Sequence, residues 1–265
     1  MADVRNPYAP PAAAVADPTE NLPDGPDVFI PNGRRVSFGR GARWIGDAWR
    51  LFTSRPGKWL LSFLLLLLIY IVFAWVPLAN ILNTLLWPFL GAGIVMAADV
   101  QRRTGTFTVE TLFAGFRRPA PLLILGAMYL LSLVLLYASF AIMVGEDGAK
   151  QFVLQASAAS DAAPPEPRAV VRALLLYTIL VLPITAATYL APPLIMLQGI
   201  GAGTAMKMSF IGSIKNILPG IVFIICTLLF ILVSIIPLGL GLFVSVPVLM
   251  ITNYTVYRDI FIDSR

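Results

Sequence analysis

The chain is 265 residues long, 58% hydrophobic and only 12% charged, with 19 basic and 14 acidic residues and a mean hydropathy of +0.83. A soluble domain carries about 25% charged residues, so this composition indicates an integral membrane protein. With no histidine and one cysteine, Cys226, histidine-based triads, most zinc sites, thiol pairs and disulfide frameworks are excluded, and no cofactor is expected.

In chain order, residues 1–33 come first as an acidic, Pro/Ala-rich tail. Seven prolines fall within residues 1–31, and Asp3, Asp17, Glu20, Asp24 and Asp27 stand against Arg5. That composition predicts disorder rather than a signal peptide, which opens with basic residues and an apolar core. Residues 34–265 are expected to form a single transmembrane domain. Its first element, over 37–55, sets Phe38, Ala42, Ile45, Ala48, Trp49 and Phe52 on one helical face and Arg40, Arg43, Asp47, Arg50 and Ser54 on the other. Such spacing suits a helix lying in the membrane interface, arginines toward headgroups and aromatics toward acyl chains.

Four stretches then lack any Asp, Glu, Lys or Arg: 59–98, 119–145, 173–206 and 216–257. At about 1.5 Å per residue, a helix crosses a hydrocarbon core in about 20 residues. The first and last stretches are long enough for two crossings, and each has a turn signal near its middle, Pro77-Leu78-Ala79-Asn80 and Pro237-Leu238-Gly239-Leu240-Gly241. Six crossings are predicted, at 58–77, 80–98, 120–144, 170–197, 217–236 and 239–257. Trp59 and Trp75 bracket the first as interfacial anchors, and Trp87-Pro88 marks a kink in the second.

Two further amphipathic segments are expected. Thr108 can cap a helix whose Val109, Leu112, Phe113 and Phe116 share a face, ending at Arg117-Arg118-Pro119. Thr204 opens another with Met206, Phe210, Ile211 and Ile214, running through Lys215 to Pro219. The predicted fold is an all-α polytopic membrane protein: six transmembrane helices as three hairpins, each preceded by an amphipathic interface helix, with an outer-side insertion over 145–169. The recurrence reads as an internal repeat.

The basic excess, with its pI near 9.6, is a topology signal. Arg34 to Lys58, Arg102, Arg103, Arg117, Arg118, Lys207, Lys215, Arg258 and Arg265 all fall on one side of six crossings, which places both termini in the cytoplasm of a bacterial inner membrane. Arg40, Arg43, Arg50, Arg102, Arg103, Arg117 and Arg118 are the candidate lipid-headgroup contacts. No aromatic-interleaved basic module points to nucleic acid.

The sequence offers little else that carries chemistry. No ionisable residue lies deep in an apolar run, and Asp99 and Asp259 sit at inner ends, where pairing with Arg102-Arg103 and Arg258 explains them. Asn80, Asn83 and Thr84 at an outer turn, and Gln198, Thr252 and Asn253 at inner ends, read as capping residues. Gly199, Gly201 and Gly203 lack the strand and the Gly-Lys-Ser/Thr of a phosphate loop and read as a turn. Gly91 and Gly93 are expected to permit close helix packing, and Cys226 reads as a small hydrophobe.

Gly39-Arg40-Gly41-Ala42-Arg43-Trp44-Ile45 leading into Ala48-Trp49-Arg50-Leu51-Phe52, together with the closing Asn253-Tyr254-Thr255-Val256-Tyr257-Arg258-Asp259, resembles a family of uncharacterised proteobacterial inner-membrane proteins over 34–265. More distantly, the plan is similar to the membrane domain of glycerophosphoryl diester phosphodiesterases. That resemblance implies a polytopic fold and, by analogy only, a lipid-related role; the soluble catalytic domain and the histidines of those enzymes are not in this sequence.

The expectation is therefore a non-enzymatic membrane protein engaging membrane lipids or a membrane protein partner through its interface helices. The alternative is a small transporter or channel for a neutral or weakly polar solute, suggested by proline- and glycine-interrupted helices in a repeated arrangement. A membrane enzyme has no plausible catalytic constellation to support it.

Overall fold

A computed structural model describes residues 27–74, 79–147, 150 and 166–263. The expected tail up to residue 26, the Trp75 anchor, Pro77-Leu78 of the first turn, most of the 145–169 insertion and Arg265 lie outside the described residues. Among those described there are nine α-helices: α1 (Arg40–Ser54), α2 (Pro56–Ala74), α3 (Ala79–Thr104), α4 (Pro119–Val144), α5 (Pro167–Thr188), α6 (Ala191–Gln198), α7 (Ala202–Lys215), α8 (Ile217–Ile235) and α9 (Leu242–Phe261). A 3-10 helix, Val109–Arg117, precedes α4. Proline opens α2, α4 and α5, where its fixed φ suits the first turn and its missing N–H would have had no intrahelical partner. A two-residue antiparallel ladder joins β1 (Val28–Phe29) to β2 (Ile262–Asp263), so the two ends of the described chain meet.

The fold is all-α, and among the described residues five helical stretches are long and apolar enough to cross a membrane: Pro56–Phe73, Ile81–Thr104, Pro119–Val144, Pro167–Gln198 and Ile217–Ile235. They correspond to the first five expected crossings. At the sixth expected crossing lies α9, which is a helix but not one of the five. Asn253, Tyr254, Thr255, Tyr257, Arg258 and Asp259 lower the hydropathy of its last turns, and twelve of its side chains are buried among neighbouring helices. The second crossing was expected to stop at residue 98, yet α3 continues to Thr104, because charged residues end an apolar run without ending a helix. The fourth breaks at Tyr189–Leu190, where Pro192 and Pro193 open α6.

The packed core lies toward one end of the bundle. Trp44 and Phe52 of α1, Trp59 of α2, Phe89 to Ala98 of α3, Leu190 to Ile195 around the break and Val248 to Phe261 of α9 form one cluster. Half of the α3 span is buried in protein, against under a quarter of the other four. Their outward faces expose Leu61, Val72, Val134, Ile179, Leu228 and many others.

The expected interface helices are turned differently. α1 is amphipathic, but it buries Gly41, Trp44, Ala48 and Phe52 against α8 and α9 and leaves Phe38 and Trp49 exposed. The reason is Gly41: a Cβ there would overlap the Pro219 carbonyl of α8, so the glycine edge is the one a neighbouring backbone can approach. The second segment is a 3-10 helix that buries Leu112, Ala114 and Gly115 and exposes Phe113 and Phe116. Gly93 of α3 admits the Leu112 carbonyl, and Gly115 in turn admits Phe89, which locks the segment along α3. Gly93 is thus a packing glycine as expected, whereas Gly91 meets nothing. The third segment begins at Ala202, two residues before Thr204, and buries Ala205, Met208, Ser209 and Gly212.

Candidate functional site

Charged side chains converge where α3 and α9 finish beside α1. Helical spacing puts Tyr254, Tyr257 and Arg258 on neighbouring positions of the last turns of α9, facing Asp99 and Arg102 of α3. The Tyr254 hydroxyl donates to Asp99 Oδ1 at 3.0 Å and accepts from Arg102 Nε at 2.9 Å. Arg103 Nε donates to Asp99 Oδ2 at 2.7 Å. Gln198 Nε2, from the end of α6, donates to the Tyr257 hydroxyl at 2.7 Å.

Asp259 organises the opposite side of α9. Its side chain is 4% exposed, so its charge requires compensation. Arg40 supplies it with two N–H groups, Nε to Oδ2 at 2.8 Å and a second to Oδ1. The Trp44 indole adds an N–H at 2.6 Å, and Arg34 Nη2 lies 3.7 Å from Oδ1. Hydrogen bonding to Asp259 raises the Arg40 pKa above its usual value, against the opposing effect of burial. The expected pairing of Asp259 with Arg258 is therefore corrected: Arg258 lies on the neighbouring face and binds Asp27.

Two clefts flank this network. The first, about 390 Å³, includes Arg34, Arg40, Arg50, Arg102 and Arg258 with Asp47 and Asp259. The second, about 330 Å³, includes Arg102, Arg103 and Arg258 with Asp27 and Asp99. Arg102, Arg258 and Ile262 form the wall between them. Across that wall Asp27 lays one carboxylate oxygen on each guanidinium, 2.6 Å from Arg102 Nη2 and 3.3 Å from Arg258 Nη2. Arginine-rich walls of this kind recognise oxyanions, since the planar fork matches carboxylate or phosphate oxygens two at a time. Among the described residues no three His, Cys, Asp or Glu side chains gather into a metal-binding group.

Of the seven arginines expected at lipid headgroups, the structure brings Arg40, Arg50, Arg102 and Arg103 to the clefts. Arg40 is committed to Asp259 rather than to a surface. Arg50 is exposed and pairs with Asp47 at 3.4 Å. Arg43, Arg117 and Arg118 are exposed and line neither cleft; the Arg118 guanidinium packs instead over Gly199, which ends α6 in a left-handed conformation. Arg34, Arg258, Tyr254, Tyr257 and Asp27 were not among the expected headgroup contacts, although for Arg34 and Arg258 a charged residue near the end of a long apolar run was the available signal. The inner-end polar residues are not caps. Asn253 Nδ2 donates at 2.5 Å to the Tyr189 carbonyl freed by the α5–α6 break, and Gln198 reaches across to α9. Trp59 is no interfacial anchor either: it is 2% exposed, packs on Phe107 and donates from Nε1 to Gln101 at 2.7 Å.

Compared with known proteins, the chain matches no protein-family model, no curated protein and no solved structure. The resemblance to inner-membrane proteins thus rests on the sequence motifs alone, and that to phosphodiesterase membrane domains on the expected plan of helices.

Proposed function

We propose that this is a non-enzymatic, multi-pass protein of a bacterial inner membrane whose cytoplasmic end engages anionic lipid headgroups. The observation that carries the reading is the gathering of Arg34, Arg40, Arg50, Arg102 and Arg258 around one cleft at the end of helices whose other surfaces are bare and apolar. Basic groups beside a hydrocarbon-facing surface attract anionic lipids by about 1 kcal/mol each. In this reading α9 is a sixth crossing, shielded from lipid by α1, α2 and α3, which keeps every basic segment and both termini on the cytoplasmic side. The order of a short helix followed by two long helical stretches, met three times along the chain, supports the repeated-hairpin plan. It also keeps the proteobacterial inner-membrane family as the proposed relationship.

Two experiments test this. In nanodiscs of mixed phosphatidylcholine and phosphatidylglycerol, native mass spectrometry should find phosphatidylglycerol retained by the wild type and lost from R34Q/R50Q, which removes two of the cleft arginines. Arg40 is left intact because its loss would strand Asp259. Equal retention of both lipids by both proteins refutes the reading. For orientation, A158C in a C226S background should react with an impermeant maleimide in intact cells; no reaction there, with labelling only after lysis, refutes a cytoplasmic placement of the arginines.

A small transporter for a neutral solute is the second reading, favoured by the break between α5 and α6 within one apolar stretch. Solute flux into proteoliposomes separates the two.

A further inference from the structure

Asp27 occupies the wall between the two clefts as a ligand would. Its carboxylate comes from outside the helix bundle and places one oxygen on Arg102 and the other on Arg258, the arrangement in which paired guanidiniums hold two oxygens of a phosphate. We infer that the Arg102–Arg258 fork is a binding site for a phosphate-class oxyanion, with Asp27 as a built-in competitor that must leave before the anion enters. The inference rests on the proposed engagement of anionic headgroups and names the atoms that would do it.

Three observations converge on this. First, the other acids of the clefts are already matched within the bundle: Asp99 by Arg103 and Tyr254, Asp259 by Arg40 and Trp44, Asp47 by Arg50. Asp27 alone among them lies outside the helices, so its departure leaves those matches standing and adds net positive charge to both clefts. Second, Asp27 is weakly tethered. From Ile30 onward the segment is held by several bonds: Ile30 N to Phe261 O at 2.8 Å, Arg34 N to Ile260 O at 2.8 Å, and the Asn216 side chain to Val36 N and Arg34 O, each at 2.9 Å. Asp27 itself precedes only the two-residue β1–β2 ladder, in which Val28 is 49% exposed. Phe29 stacks on Phe261 and Ile262 is buried, so the ladder is anchored at its inner pair, but two residues with an exposed outer position are at the low-stability end of local opening. Third, the fork opens onto clefts of about 390 and 330 Å³, room enough for an inorganic phosphate or the phosphate of a lipid headgroup.

The two phosphate sources are separated by experiment. Full-length wild type, D27N and D27N/R102Q are placed in phosphatidylcholine nanodiscs and titrated with inorganic phosphate. The same proteins are also placed in nanodiscs of phosphatidylcholine with phosphatidic acid, without added phosphate, and retained lipid is counted by native mass spectrometry. If Asp27 keeps the fork closed about nine-tenths of the time, its neutralisation tightens apparent phosphate binding about tenfold, and R102Q removes that gain. A gain confined to the phosphate titration assigns a free anion. Phosphatidic acid retention that rises in D27N and falls in D27N/R102Q assigns a headgroup. Either result supports the site. Wild type and D27N that melt alike and show equal phosphate binding and equal phosphatidic acid retention overturn it. That failure leaves the broader reading intact when R34Q/R50Q still loses phosphatidylglycerol, whereas loss of both effects overturns the two together.

Discussion

Replacing Arg40 by methionine should cost far more stability than neutralising its partner, although both changes break the same ion pair. Asp259 is the buried member, at 4% side-chain exposure against 33% for Arg40. R40M leaves a buried carboxylate with the Trp44 indole at 2.6 Å and one guanidinium nitrogen of Arg34 at 3.7 Å. Stranding one partner of a buried pair costs about 3–5 kcal/mol, and the residual Arg34 contact argues for about 3 kcal/mol here. D259N keeps an oxygen that accepts from Trp44 and lets the partly exposed Arg40 reach water, so its cost is about 1–2 kcal/mol. For a chain of this size about 2–4 °C of melting temperature accompanies each kcal/mol, giving a drop of about 6–12 °C for R40M and about 2–8 °C for D259N. The double variant R40M/D259L removes both charges and should melt higher than R40M alone. Tryptophan fluorescence during heating in one detergent reads all four proteins, with Trp44 as an internal reporter. R40M melting within about 2 °C of wild type, or D259N melting below R40M, would refute the reasoning.

Three further outcomes follow from the packing. G93A should be destabilised by at least about 3 kcal/mol because its Cβ meets the Leu112 carbonyl rather than a mobile side chain; G91A, with nothing in reach, is the control and should match wild type by differential scanning fluorimetry. S209A should lose about 1–3 kcal/mol, since its hydroxyl accepts from Leu190 N at 3.0 Å and donates to Ala186 O at 2.7 Å across the α5–α6 break; equal melting of S209A and wild type would contradict this. L194A, fully buried, should lose about 2–5 kcal/mol, while L228A on the bare face of α8, 62% exposed, should melt like wild type in detergent.

The apolar spans were legible because the bilayer imposes a simple rule: a run without charge, long enough to cross, becomes a helix. What that rule does not record is whether a helix meets lipid or protein. Residues 239–257 are as free of charge as the other runs, yet α9 packs against α1, α2, α3 and α8. Pairing was equally hidden, since Asp259 finds Arg40 219 positions away and Trp44 215 positions away. Adjacency along the chain pointed to Arg258 instead. For α1 the period was right and the face partly wrong. Hydropathy counts Phe38 and Trp49 toward the apolar face and gives Gly41 no weight, whereas close approach of the α8 backbone depends on the missing Cβ. The fork at Arg102 and Arg258 was out of reach for a similar reason: only the β1–β2 ladder brings Asp27 to residues 75 and 231 positions away.

The uneven burial has a consequence for where this fold gets its specificity. Apolar side chains that face lipid gain little by facing one another instead, because lipid tails are as apolar as leucine. Four spans with under a quarter of their length buried are therefore held in the membrane by their hydropathy but are not strongly directed to a particular arrangement by it. Direction comes from contacts that tolerate one geometry: backbone against glycine at Gly41, Gly93 and Gly115, and directional bonds from Asp99, Asp259, Gln101 and Asn253. Nearly all of these lie at the charged end, on α1, α3 and α9. The arginines that would hold an anion at the cleft walls thus stand beside the residues that hold the helices in register. A change of ligand at Arg102 and Arg258 would act directly on the junction between α3 and α9, through the Tyr254 hydroxyl that Arg102 and Asp99 share.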